Sequence, residues 1–289
     1  MKLRLSILGV LCAVIGVMLA AFVGAAAARA DDSPTTYYVS LGDSLAAGTN
    51  ATGVGVAYTD MGYADQLHSA LAADEPKLKL VKLGCPGEST ISMRFGSQYP
   101  TVVLSCATPP GYKDLYPKGT QLAEAVSFLQ AHKGKVALVT IDIGANDLQR
   151  FDDQGNLVIC LFEPAGCATQ TATMVENLTA ILSDLRAAAG PDVPIVGMSY
   201  YDVFAPLCVS DPSLLFVCSR VDAINGSLVD TYRGAGDPVA DVAGAFENDN
   251  LVNAAAHVCA WTWFCSYGDV HPTTVGYGVI AQAFEQVVQ

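Results

Sequence analysis

Two residues near opposite ends of the chain could together do chemistry: Ser44, within Gly42-Asp43-Ser44-Leu45, and His271, within Asp269-Val270-His271-Pro272. A serine hydroxyl is a weak nucleophile until a base removes its proton, and histidine is the side chain that titrates near neutral pH. Between them in sequence lie Gly87, in Gly84-Cys85-Pro86-Gly87, and Asn146, in Gly144-Ala145-Asn146-Asp147. Backbone N–H groups at Ser44 and Gly87 and the amide of Asn146 are donors of the kind a developing oxyanion needs. That combination suits acyl transfer. Taken singly, each residue also has a plain structural role. Ser44 can cap a turn, Gly87 can serve the turn beside Pro86, and Asn146 can cap the next segment. His271 with Pro272 can simply open a helix.

The elements that must position these residues alternate along the chain. Residues 37–41 read as a first strand, with Ser44 just beyond it, and residues 63–71 as a helix with apolar side chains three and four apart. Residues 78–83 form a second strand, closed by the turn that carries Gly87. A loop rich in Pro, Gly and Tyr is expected from 95 to 118, followed by a helix over 121–132. The apolar run 136–141 is the strand expected in the middle of a parallel sheet, and Asn146 follows it. An insertion holding Cys160 and Cys167 precedes a helix over 171–189. A strand at 194–199, a helix over 212–233, a last strand within 239–246 and a closing helix at 274–288 complete the series. Such alternation implies parallel strands with helices on both faces, and no linker divides them. His68 and His132 fall in helices and read as surface or satisfied histidines. His257 is expected in a disulfide-bound loop, and Trp261 and Trp263 either line an acyl pocket or pack on that loop.

Composition bounds the setting. Lys2 and Arg4 precede an almost unbroken apolar run over 5–23, and Ala28-Arg29-Ala30 offers small residues at cleavage positions. Residues 1–30 are therefore expected to be a secretory signal peptide and 31–289 a single domain. The whole chain has a formal net charge of −13, and the leader holds basic residues but no acidic ones, so the mature chain is more acidic still. Such a charge disfavours nucleic acid and anionic membrane surfaces. No stable membrane insertion is expected after the leader is removed, and the expected form is a secreted, extracellular monomer. Of nine cysteines, Cys12 lies in the leader, leaving eight, an even number in a secreted chain. They cluster as Cys85 with Cys106, Cys160 with Cys167, Cys208 with Cys218 and Cys259 with Cys265, and that sequential pairing is the expectation. No pair of cysteines or cysteine–histidine cluster stands at ligand spacing, and no nucleotide-binding glycine pattern occurs, so neither metal nor cofactor is implied. A GxSxG elbow is also missing from the sequence, which argues against the common α/β-hydrolase fold.

The four blocks, Gly42-Asp43-Ser44-Leu45, the Gly87 turn, Gly144-Ala145-Asn146-Asp147 and Asp269-Val270-His271-Pro272, resemble in type and order those of the SGNH (GDSL) hydrolases. They span almost the whole mature chain, and the likeness is to secreted, disulfide-bearing actinobacterial-type esterases and lipases. The resemblance implies an α/β, flavodoxin-like three-layer α/β/α sandwich with a mostly parallel five-stranded sheet. It further implies Ser44 as nucleophile, His271 as general base, and Ser44 N–H, Gly87 N–H and the Asn146 side chain as the oxyanion hole. One departure stands out. The family places its orienting aspartate three residues before the histidine, where this chain has Gly268. Asp269, two residues before, is the catalytic candidate here, since residues two apart in an extended segment point the same way. A backbone carbonyl near Tyr267 or Gly268 is the alternative partner for the imidazole. The expected function is hydrolysis of carboxylic esters, with a small-molecule or lipid ester as substrate. A carbohydrate acetylesterase, or a non-catalytic secreted binding module on the same fold, are the alternatives.

Overall fold

The computed structural model describes residues 34–51, 56–96 and 115–288. The expected signal peptide and Cys106 lie outside these residues. Five strands build the central sheet: β1 (Thr36–Gly42), β2 (Leu78–Lys82), β3 (Val136–Asp142), β4 (Ile195–Met198) and β5 (Val239–Ala240). Their order is β2-β1-β3-β4-β5, and every pairing is parallel. This is the flavodoxin-like order, in which the chain runs outward from β1 to β2 and then returns across β1 to β3. Ligands in such sheets bind beyond the carboxyl ends of the strands where the order reverses, here between β1 and β3.

Among the described residues, eight helices of six residues or more flank the sheet: α1 (Tyr63–Leu71), α2 (Thr90–Phe95), α3 (Gln121–Ala131), α4 (Ala168–Ala189), α5 (Ala205–Ser210), α6 (Leu215–Gly234), α7 (Leu251–Trp261) and α8 (Thr274–Val288). The two-residue alternation of strand side chains sorts them into layers. Val39, Leu41, Val139 and Ile141 pack into one core with α2, α3, α4 and α6. Tyr38, Leu138, Val196 and Met198 point the other way, onto α1, α7 and α8. The second face also buries polar groups: Tyr38 and Thr140 share a hydrogen bond at 2.9 Å, and the Tyr63 hydroxyl donates to Asp142 at 2.6 Å. Two short hairpins, Thr49–Ala51 with Val56–Tyr58 and Gln149–Phe151 with Leu157–Ile159, stand outside the sheet.

Several sequence expectations are corrected here. Residues 251–261 form helix α7, so His257 lies on a helix rather than in a disulfide-bound loop. Its N-cap Asn250 accepts from the Asn253 N–H, and Ala254, Ala255 and Val258 form the buried stripe. Only Val239–Ala240 of the expected last strand is extended, because Asp241 caps a helical turn at Val242–Ala245. Helix α4 begins three residues earlier than expected, directly after Cys167.

Three disulfides lie among the described residues, each closing a short loop. Cys160–Cys167 ties the insertion to the start of α4, Cys208–Cys218 joins α5 to α6, and Cys259–Cys265 ties α7 to the segment that leads to His271. Cys85 is also disulfide-bonded.

Candidate active site

The turn that holds Ser44 is built into the sheet rather than laid upon it. The β1–β3 register sets Gly42 opposite Asp142, and the Asp43 N–H donates to the Asp142 carbonyl at 3.1 Å. Gly42 has φ +135°, and a Cβ there would stand 2.1 Å from the Asp142 carbonyl oxygen, so only glycine lets the strands approach this closely. Its peptide groups are bracketed by one side chain. The Gly42 N–H donates to Gln121 Oε1 at 2.6 Å, while Gln121 Nε2 donates to the Gly42 carbonyl at 3.0 Å. Beyond Gly42 the chain turns through residues 43–48, where Ala47 N–H donates to the Asp43 carbonyl and Thr49 N–H to that of Ser44.

Two buried carboxyl groups support this turn from below. Asp142 Oδ2 accepts from the N–H groups of Asp43 and Ala46, both at 3.3 Å. Asp43 Oδ1 accepts from Leu45 N–H at 2.9 Å and Asp43 Oδ2 from the Tyr200 hydroxyl at 3.0 Å. Burial, with the neighbouring Asp43 carboxylate, holds Asp142 well above the usual aspartate range. Burial raises Asp43 too, against the hydrogen bonds that favour its charged form. The dry surroundings and the nearby Asp43 charge together favour the neutral form of Asp142.

Asn146 follows β3 in a single 3₁₀ turn, Ala145–Leu148. Gly144 before it has φ +124°, and a Cβ there would meet the Met174 sulfur at 2.9 Å and Leu228 Cδ2 at 3.0 Å. Asn146 Nδ2 donates to the Glu88 carbonyl at 3.0 Å, and its Oδ1 accepts from Gln149 Nε2 at 3.2 Å. Asp147 accepts from the N–H of Thr90 at 2.9 Å and from its hydroxyl. These bonds hold the Asn146 turn against the loop that carries Gly87, which has φ +84°. Burial raises Glu88 to about 8 and Asp147 to about 6, despite hydrogen bonds that favour their charged forms.

His271 sits on the segment between α7 and α8. An isolated bridge pairs Thr262 with Pro272, Trp263 N–H donates to the His271 carbonyl at 3.0 Å, and the Tyr201 hydroxyl donates to the Val270 carbonyl at 2.6 Å. Thr273 caps α8 by accepting from Gly276 N–H. Asp269 Oδ1 lies 2.7 Å from His271 Nδ1 and accepts the His271 backbone N–H at 2.8 Å. Partial burial raises the Asp269 carboxyl, but the bonds from His271 outweigh it and leave the group below the ordinary aspartate range. A two-residue spacing thus suffices, because one carboxylate oxygen takes both the ring and the backbone N–H.

Ser44, Asn146 and His271 line one cavity of about 170 Å³ at the switch point of the sheet. Gly87 is not among its lining residues, and Asn146 reaches the adjoining Glu88 carbonyl. Nor do Trp261 and Trp263 line it. Trp261 stacks on His257 at 4.0 Å, and Trp263 donates to Asn50 at 2.6 Å. Sequence reasoning missed the part of the lining that comes from α6, Asn225 included. That amide accepts from Tyr200 N–H at 2.8 Å and donates to the Tyr200 carbonyl at 2.7 Å, fixing the residue that in turn reaches Asp43. Among the described residues, Asp202, Cys208 and Cys218 group like metal ligands, but both sulfurs are committed to a disulfide.

The profile of the GDSL-like lipase/acylhydrolase family matches residues 40–279. No curated protein matches the chain. Among solved structures, phospholipase A1 from Streptomyces albidoflavus aligns with TM-score 0.51 at 18% identity, covering 88% of this chain and 99% of that one. An extracellular lipase from Streptomyces rimosus aligns with TM-score 0.54 at 17% identity, covering 87% and 99%. The acetyl xylan esterase AlAXEase aligns with TM-score 0.53 at 12% identity, covering 88% and 100%. At these identities the likeness is one of fold.

Proposed function

The chain belongs to the GDSL-like lipase/acylhydrolase family, and on that premise we propose that it is a secreted serine esterase or lipase acting through Ser44, His271 and Asp269. One observation carries the reading: the Asp269-anchored imidazole of His271 lines the same cavity as Ser44 and Asn146. With Nδ1–H held by Asp269, Nε2 is left to take the Ser44 proton. Ser44 Oγ then attacks the ester carbonyl carbon, and the carbonyl oxygen takes the negative charge. The N–H groups of Ser44 and Gly87 and the Asn146 amide stabilise that oxyanion. His271 returns the proton to the alcohol oxygen as its bond to carbon breaks, leaving an acyl-enzyme. Water, deprotonated by His271, attacks the acyl carbon, the free acid departs and Ser44 regains its proton. Secretion rests on the basic-then-apolar leader and on the disulfides, which persist in oxidising compartments.

A fluorophosphonate probe tests the reading. It should label the intact protein at Ser44 and fail on Ser44→Ala, and failure to label the intact protein would overturn the proposal. Asn146→Ala should lower kcat by about 10²–10³ in protein that still folds, with a modest fall in melting temperature as its bonds to Glu88 and Gln149 are lost; an unchanged kcat would remove Asn146 from the oxyanion hole.

A further inference from the structure

The cavity is chemically lopsided. Its lining includes the apolar side chains of Leu148, Ile159, Leu161, Val221, Ile224 and Leu228. Several of the polar groups that line it outside the proposed triad already hold partners. Asn225 spends its amide on the Tyr200 backbone, the Tyr200 hydroxyl donates to Asp43, and Gln149 Nε2 donates to Asn146. A sugar entering here would give up its water against a mostly apolar lining, whereas a hydrocarbon loses nothing. Beside His271 the situation is reversed. Val270 is 44% and Tyr267 61% exposed, and Gly268 is exposed as well. This open side leaves room for the alcohol portion of an ester and for water.

We infer that the apolar cavity is a site for the acyl chain, and that the favoured substrates are esters of medium-chain acids. This inference rests on the esterase reading above. An apolar cavity of about 150 Å³ accommodates the six carbons of benzene, so the volume here fits acids of about six to eight carbons. Val221 and Ile159 set the length. Both are half-buried residues on the wall, so a larger side chain at either shortens the space without breaking the core.

Two ester series test this. Among p-nitrophenyl esters, where only the acid varies, kcat/KM should rise about fourfold per methylene from acetate to hexanoate or octanoate. It should then fall by dodecanoate. Among acetates of alcohols of increasing length it should change by less than about threefold over the whole series, since an alcohol facing solvent buries little surface. Val221→Trp and Ile159→Phe should each move the optimum to butyrate, lowering the octanoate-to-butyrate ratio of kcat/KM by at least about tenfold. An acetate optimum, a length preference confined to the alcohol series, or an unmoved optimum in either folded variant overturns the acyl-chain site. Those outcomes leave the esterase reading standing. No hydrolysis of any ester, together with no fluorophosphonate labelling of Ser44, overturns both.

Discussion

The segments that carry Ser44 and His271 are held in opposite ways. The Ser44 turn continues a central strand, and its bonds run inward to Asp142, Gln121 and the Asp43 carboxyl, all buried. The His271 segment lies near the surface, held by a disulfide, one isolated bridge and a hydroxyl from Tyr201. The lesson is a division of labour. Disturbing the first segment disturbs the fold itself, whereas the second can lose its chemistry and leave the fold standing.

The sharpest break comes from Gly42→Ala. The new methyl would stand 2.1 Å from a backbone oxygen that cannot move without parting β1 from β3. A loss of at least about 4 kcal/mol in chemical denaturation is expected, and a variant that melts like the parent would refute the tight strand contact. On the other segment, Asp269→Asn removes the carboxylate that sets the imidazole tautomer. It should lower kcat by about 10²–10⁴ with little change in melting temperature. If activity survives, a backbone group and not Asp269 orients the ring. Replacing Cys259 and Cys265 together by serine should cost about 2 kcal/mol, with a smaller loss of activity than Asp269→Asn. Equal losses from the two would mean that the bridge, rather than the carboxylate, is what positions His271.

A last contrast comes through pH. Glu88, which accepts from Gln121 behind the Ser44 turn, titrates at about 8 in the fold against 4.5 when free. Between these values the unfolded chain has released its proton and the folded chain has not, so stability falls as pH rises, by at most about 1.4 kcal/mol per pH unit. Glu88→Gln should flatten the urea midpoint over that window, and an unaltered slope would show that Glu88 ionises freely. Asp269 has the opposite sign. Its lowered carboxyl stabilises the fold above the ordinary aspartate value, and that help is lost only as pH drops through and below it.

Much of this was legible because the information is local. The strand before Ser44, the apolar run before Asn146 and the Thr273-capped helix after His271 are periodic or capped segments whose signals sit within a few residues. Alternation then leads to a parallel sheet. What could not be read is what converges from afar. Gln121 reads as an ordinary first residue of a helix, yet its amide closes on Gly42, seventy-nine positions away. Asp142 looks like the last residue of an apolar strand, and only the β1–β3 register turns it into the support of the Ser44 turn. Helix α7 was obscured by its own cysteine, because a residue destined for a bridge suggests a loop while the alanines around it favour a helix.

The Asn225 clamp has a further consequence for how the protein is made. Asn225 is followed by Gly226 and Ser227, an acceptor sequence for N-linked glycans. In the fold this side chain is 8% exposed, with its amide closed on both backbone groups of Tyr200. A glycan attached here would sit on an amide that the fold closes on the Tyr200 backbone. A chain so decorated could not form the Asn225–Tyr200 contact, and production in a host without N-glycosylation avoids that conflict.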